Sequence, residues 1–181
     1  MNFKVNIDAA IEASVYVLNR VPSCDIHKLF KILYFAEKAH LAKYGRPITG
    51  DYFVAMKNGP VPSFVYDLVK FVRGDKAYFN IGKDIANDFQ IVNGIYIGAN
   101  RAANTDYLAA SSIECLEESI ETCAALNFDE LTELSHDDAW MKSDTNSEMN
   151  VLDIASAAGA NIGMLSYIQS NMENQNSFSL R

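Results

Sequence analysis

The sequence predicts an α+β domain, mainly helical, with one small antiparallel sheet of two or three strands. Three observations lead there. Apolar residues recur at steps of three and four along most of the 181 residues, the spacing of one buried helix face. Asn93-Gly94 lies between two short apolar runs, where Asn-Gly marks a hairpin because both turn positions take positive φ. Gly45 to Ser63 holds three glycines and three prolines in nineteen residues, a fixed-geometry connector rather than a helix.

The elements follow in order. Asp8 to Arg20 reads as a first helix, with Ile11, Val15 and Leu18 on one side, and Val21-Pro22-Ser23 ends it. Asp25 is a good N-cap for a second helix whose apolar stripe runs Ile26, Leu29, Leu33, Ala36 and His40. Gly45, with Pro47 beyond it, closes that helix, whose length makes it the expected centre of the fold. Tyr52 to Met56 is aromatic and β-branched, hence a strand, and Asn58-Gly59-Pro60 turns the chain. Ser63 is positioned to cap a third helix carrying Phe64, Leu68 and Val72, ended by Gly74. Phe89–Val92 and Ile95–Gly98 form the Asn-Gly hairpin, and Tyr52–Met56 is expected to join it in one sheet.

From Asp106 the chain is helical again, with Ala109, Ile113, Leu116, Ile120 and Cys123 on one stripe and Glu114, Glu117, Glu118 and Glu121 mostly off it. A short helix is expected from Phe128 to Met141 and a last one from Asp153 to Met172. Gly159 and Gly163 weaken the latter by roughly 1 kcal/mol each relative to Ala. Residues 1–172 read as a single domain and 173–181 as a flexible, Asn/Ser-rich tail.

Hydrophobic residues make up 49% of the chain, enough apolar mass for a real core. No run of about 18 apolar residues is present to span a membrane. Asp8 and Glu12 interrupt any apolar signal core at the N-terminus, so the expected compartment is the cytoplasm. Cys24, Cys115 and Cys123, odd in number and without paired spacing, read as reduced thiols. The net charge of −8 is uneven: residues 1–100 carry twelve Lys/Arg and nine Asp/Glu, whereas 101–181 carry three and fourteen. An acidic second half repels nucleic-acid backbones and complements a basic partner. Its plain alternative is a solvated acidic helix face.

The sequence is poor in catalytic patterns, with no phosphate-binding glycine loop, no HExxH and no CxxC. His27, His40 and His136 are widely separated. His136-Asp137-Asp138 offers metal-ligand chemistry, but without the spacing of a four-ligand site it reads as a helix-end cap with surface charge. Cys24, beside Asp25 and His27, lacks a recognisable oxyanion donor and reads as packing at a helix start. His40 lies on an apolar stripe, the place of a buried, hydrogen-bonded histidine. Trp140, the single tryptophan, suits either an interface hot spot or a lid over the core. Neither a cofactor nor a metal is expected, and the chain is not expected to be an enzyme.

Several segments together resemble a known family. Lys31-Ile32-Leu33-Tyr34-Phe35-Ala36, His40 to Pro47, Gly50-Asp51 and Ala55-Met56-Lys57-Asn58-Gly59-Pro60-Val61-Pro62-Ser63 are similar to the Panacea domain. Leu134-Ser135-His136-Asp137-Asp138-Ala139-Trp140 resembles a later element of the same family. The likeness extends from about Asp25 to Trp140, while Lys76–Arg101 and the C-terminal helix match nothing diagnostic. It implies an antitoxin of a bacterial or phage-borne toxin–antitoxin pair, SocA-like, that neutralises its cognate toxin by direct protein binding. The implied toxins include nucleotide- or tRNA-modifying enzymes. The alternatives it implies are an adaptor that delivers a toxin to a host protease, or a phage-associated regulatory protein. No additional DNA-binding domain is recognisable, so autoregulation is not expected. The implied partner surface centres on Tyr34, Lys57, Gly59, Pro60, Val61, His136 and Trp140, with the Glu114–Glu121 face second.

Overall fold

A computed structural model of the chain describes residues 2–177, which form eight α-helices and two separate two-stranded antiparallel sheets. In chain order they are α1 (Ile7–Arg20), α2 (Ile26–Tyr44), β1 (Phe53–Met56), β2 (Gly59–Pro62), α3 (Ser63–Arg73), β3 (Phe89–Val92) and β4 (Tyr96–Ala99). Then follow α4 (Ala110–Cys123), α5 (Phe128–Ser135), α6 (Asp138–Met141), α7 (Val151–Ala157) and α8 (Ile162–Ser177). The expected class, α+β and mainly α, is the observed one.

α2 is the axle. Asp25 caps it by accepting from the Lys28 N–H at 2.8 Å. Gly45 closes it in the left-handed conformation, φ 65°, with its N–H on the Leu41 carbonyl. A Cβ at Gly45 would also lie 2.4 Å from the Tyr167 ring, so packing and backbone both demand glycine there. Small residues let α4 run close beside α2, and the buried Ser119 hydroxyl donates to the Ile32 carbonyl at 2.7 Å. One face of α2, with Leu29, Ile32 and Leu33, joins a large core with α1, α3, α4 and the β3–β4 hairpin. Another, with Tyr34 and Leu41, joins a smaller core with Phe53, Ile154 and Ile168.

Four sequence expectations are corrected. The sheet is not single: β1 pairs with β2 from Phe53↔Pro62 to Met56↔Gly59, and β3 pairs only with β4. Pro60 and Pro62 argue against a strand, but β2 is an edge, where a missing N–H breaks no ladder. The other edge of β1 is taken by a distant segment, through Ala55 N–H to Ser147 O at 2.9 Å and Met149 N–H to Phe53 O at 2.8 Å. The Asn93-Gly94 turn itself stands as expected, with φ of 53° and 70°.

Ser63 does not cap α3. The buried Asp51 carboxylate does, accepting from the Phe64 and Val65 N–H groups at 2.9 and 3.1 Å. The helix expected over Phe128–Met141 breaks at His136 into α5 and α6. The helix expected over Asp153–Met172 breaks at Gly159, φ 88°, into α7 and α8. α8 continues through Glu173–Ser177, where the tail was expected to begin, and residues 178–181 lie outside the described residues.

Candidate functional site

Besides its apolar stripe, α2 carries a polar one. His27, Lys31, Tyr34 and Lys38 step by four, three and four, which stacks them on one helix face. That face meets the β1–β2 hairpin and the chain from α5 to α6. His27 Nε2 lies 3.2 Å from the Asn58 carbonyl and 3.3 Å from the Thr132 hydroxyl, and its ring packs on Phe128. Lys31 Nζ donates to the Pro60 carbonyl at 2.9 Å. Tyr34 OH and Lys38 Nζ both donate to Asp137 Oδ2, at 2.8 and 2.5 Å.

Asp137 is the joint of the site. Its second oxygen accepts from the Ala139 and Trp140 N–H groups at 3.0 and 3.1 Å and so starts α6. Trp140 is thereby aimed back at the hairpin, where its indole N–H donates to the Met56 carbonyl at 3.0 Å. The indole stacks on His136 with centroids 3.6 Å apart and planes 9° from parallel. The His136 ring in turn lies against the Lys57 backbone. Gly59, at φ 96°, lies so close to the floor that a Cβ would sit 2.2 Å from Ser135 Oγ and 2.8 Å from Lys31 Nζ.

The residues singled out from sequence thus come together, but not all at the surface. Lys57 is exposed at the hairpin tip, and His136 and Trp140 are half-buried. Tyr34, Gly59, Pro60 and Val61 are buried and support the exposed ones from beneath. The Glu114–Glu121 face is largely occupied within the chain: Lys43 pairs with Glu114 and Glu118, and Arg20 with Glu117. Lys31 and Lys38 were not singled out from sequence as site residues. The signal that exposes them is the polar stripe, which breaks the rule that lysine on a core-side helix face is avoided.

Burial shapes the chemistry. The wholly buried Lys31 ammonium, with no carboxylate paired to it among the described residues, is pushed down to about 7. His27 and His136 are held below the usual histidine range by burial first and by Lys31 next. Burial raises Tyr34, and the Asp137 carboxylate raises it further. The buried Cys24 thiol is pushed up to about 12, which keeps it protonated and unreactive at neutral pH. His40 is the buried, bonded histidine its position predicts, with Nδ1 2.6 Å from Arg46 O and Nε2 3.0 Å from Ser111 Oγ. Among the described residues, no three His, Cys, Asp or Glu side chains are grouped to hold a metal ion. No helix among them is long and apolar enough to cross a membrane.

A family model described as "Antitoxin SocA-like, Panacea domain" matches residues 29–141. The chain belongs to the Panacea domain family. The match opens in the first turns of α2 and closes at the end of α6, so the Panacea segment holds the polar stripe from Lys31 onward, the β1–β2 hairpin and the Asp137 joint. No curated protein and no solved structure matches the chain. Membership in the Panacea family supports a general antitoxin role for this chain, which suggests a non-catalytic function and calls for a protein partner.

Lys31 gives the Panacea core a testable pH signature. Its folded-state value is depressed below the unfolded 10.5, so between pH 7 and 10.5 the unfolded chain binds more protons. Stability therefore rises with pH in that window. Above about pH 9 the buried thiols, whose folded values are raised, act in the opposite sense, so the clean range is pH 7–9. Chemical denaturation should show wild type gaining up to about 2 kcal/mol relative to Lys31→Met from pH 7 to 9. Equal pH profiles for the two proteins would contradict a Lys31 amine whose proton is weakened by burial.

Proposed function

We propose that the chain is an antitoxin that neutralises a cognate toxin by binding it directly, over the surface formed by Lys57, His136 and Trp140. One observation supports this most. Two segments some eighty residues apart in sequence, the hairpin and the α5–α6 joint, are locked into one surface by Asp137, Trp140 and the polar stripe of α2. Such a surface loses little entropy on binding, because its backbone and the Trp140 and His136 rings are already held in place. It carries the composition of a contact surface: a half-buried Trp, an exposed Lys with no ion-pair partner among the described residues, and the exposed apolar side chains Leu134 and Met141. The exposed Asp129, Glu133 and Asp138 on the same two helices favour a basic partner, as enzymes that handle RNA or nucleotides tend to be.

Tyr34, Gly59, Pro60 and Val61 contribute by holding this surface in place. Trp140→Ala and Lys57→Glu, co-expressed with the product of the neighbouring reading frame, test the placement. At least one should weaken the complex by about 2 kcal/mol or more, roughly thirtyfold in Kd, with loss of growth rescue. Two variants that fold normally, bind as wild type and neutralise at full strength would contradict it.

A further inference from the structure

Beside that surface lies a groove of about 670 Å³, walled by the start of α2, the β1–β2 turn, the β3–β4 turn and Phe128. The backbone fixes its walls: Ile26 N–H donates to Ile95 O at 3.0 Å and Ile97 N–H to Cys24 O at 2.9 Å, seating the β3–β4 hairpin on α2. Its rim is unusually apolar for exposed residues, with Ile95 58%, Phe128 48% and Tyr96 45% accessible. Its floor is not apolar. Lys31 lines it, wholly buried, with the Pro60 carbonyl as its hydrogen-bond partner and no carboxylate beside it among the described residues. His27 lines it too, with a buried Nδ1 that has no partner. Lys57 stands at the mouth. The single carboxylate in the lining, Asp25, already caps α2.

A buried ammonium without an anion is costly, and the group missing beside it is a negatively charged hydrogen-bond acceptor. We infer that this groove receives an apolar segment of the protein partner that carries an aspartate or glutamate, whose carboxylate is held by Lys57 and by the positive charge of Lys31 just beneath the floor. This rests on the binding role proposed above and adds the chemistry of what is bound. The aromatic and aliphatic rim covers the partner's apolar side chains, Lys57 steers the carboxylate inward, and His27 Nδ1 becomes a second donor on protonation. Charge complementarity chooses this occupant: a basic segment would bring two like charges to Lys31 and Lys57, and a purely apolar one would leave Lys31 unpaired.

The test uses the full chain and a phage-displayed library of random twelve-residue peptides, panned on wild type and on Lys31→Met. Methionine fills the lysine stem's place, so the variant should fold; a circular dichroism melt checks this, and Ile95→Glu at the exposed rim is a second variant that leaves the core untouched. Wild type should enrich peptides with Asp or Glu next to an aromatic or aliphatic residue. Those peptides should bind Lys31→Met about thirtyfold more weakly or worse, and Glu→Gln versions should lose the same factor. No enrichment, enrichment without acidic residues, or equal binding to wild type and both variants would overturn the inference. Purifying Lys31→Met with the co-expressed neighbouring product separates the two ideas. A complex of unchanged affinity refutes the groove alone, and no complex with wild type refutes the binding role itself.

Discussion

Gly59→Ala should lower the unfolding free energy by about 3 kcal/mol or more, one of the two largest single effects in the molecule. Two causes add. The backbone at 59 sits at φ 96°, where an L side chain is strained. The new methyl would also fall 2.2 Å from Ser135 Oγ and 2.8 Å from Lys31 Nζ, both on fully buried residues with little room to move. Gly74→Ala separates the two, because Gly74 has a similar φ of 84° and nothing within 4 Å of its would-be Cβ. That control should cost only about 1–2 kcal/mol by urea denaturation. Equal costs at the two glycines would show that β2 does not press on the Lys31–Ser135 floor.

Asp137→Ala should destabilise by a similar amount, about 3 kcal/mol, by removing a helix cap and two hydrogen bonds to a charged acceptor at once. The change leaves Lys38 and Tyr34 without their common partner in a place where Lys38 and Asp137 side chains are only 13% and 14% exposed. It has a second readout. Trp140 is the only tryptophan, and its position depends on the Asp137 cap. Its emission should therefore shift to the red in native buffer, before unfolding. An Asp137→Ala protein with wild-type emission and a loss below about 1 kcal/mol would mean that α6 holds itself.

How far the sequence alone reaches is decided by the range of the interaction. Caps and turns are local, and Asp25, Gly45, Gly74 and Asn93-Gly94 all sit where their local chemistry places them. Ser63 fails as a cap because Asp51, twelve residues earlier, is delivered to the same N–H groups by the fold of the connector. The β1–β2 pairing was hidden by its prolines, which are unfavourable in a central strand and harmless on an edge. The 146–149 segment on β1 has no local signature at all, since it is placed by contacts some ninety residues apart.

The site was legible in part for the same reason. Trp140, His136 and Lys57 stand out by type, and the family likeness gathers them with the hairpin. What joins them is long-range: Tyr34 and Lys38 reach Asp137, and the Trp140 indole reaches Met56. The spacing of His27, Lys31, Tyr34 and Lys38 was present in the sequence, but only burial reveals that this polar stripe faces inward.

The most direct measurement is a titration of the co-purified toxin with this chain, read as residual toxin activity and as the mass of the species in solution. Direct neutralisation predicts activity falling linearly to zero at one copy of this chain per toxin, with a stable complex of that composition and the toxin intact. Protection at far below one copy per toxin would contradict it in favour of catalysis. Toxin that remains active in vitro, yet disappears in cells only when a host protease is present, would contradict it in favour of delivery for degradation.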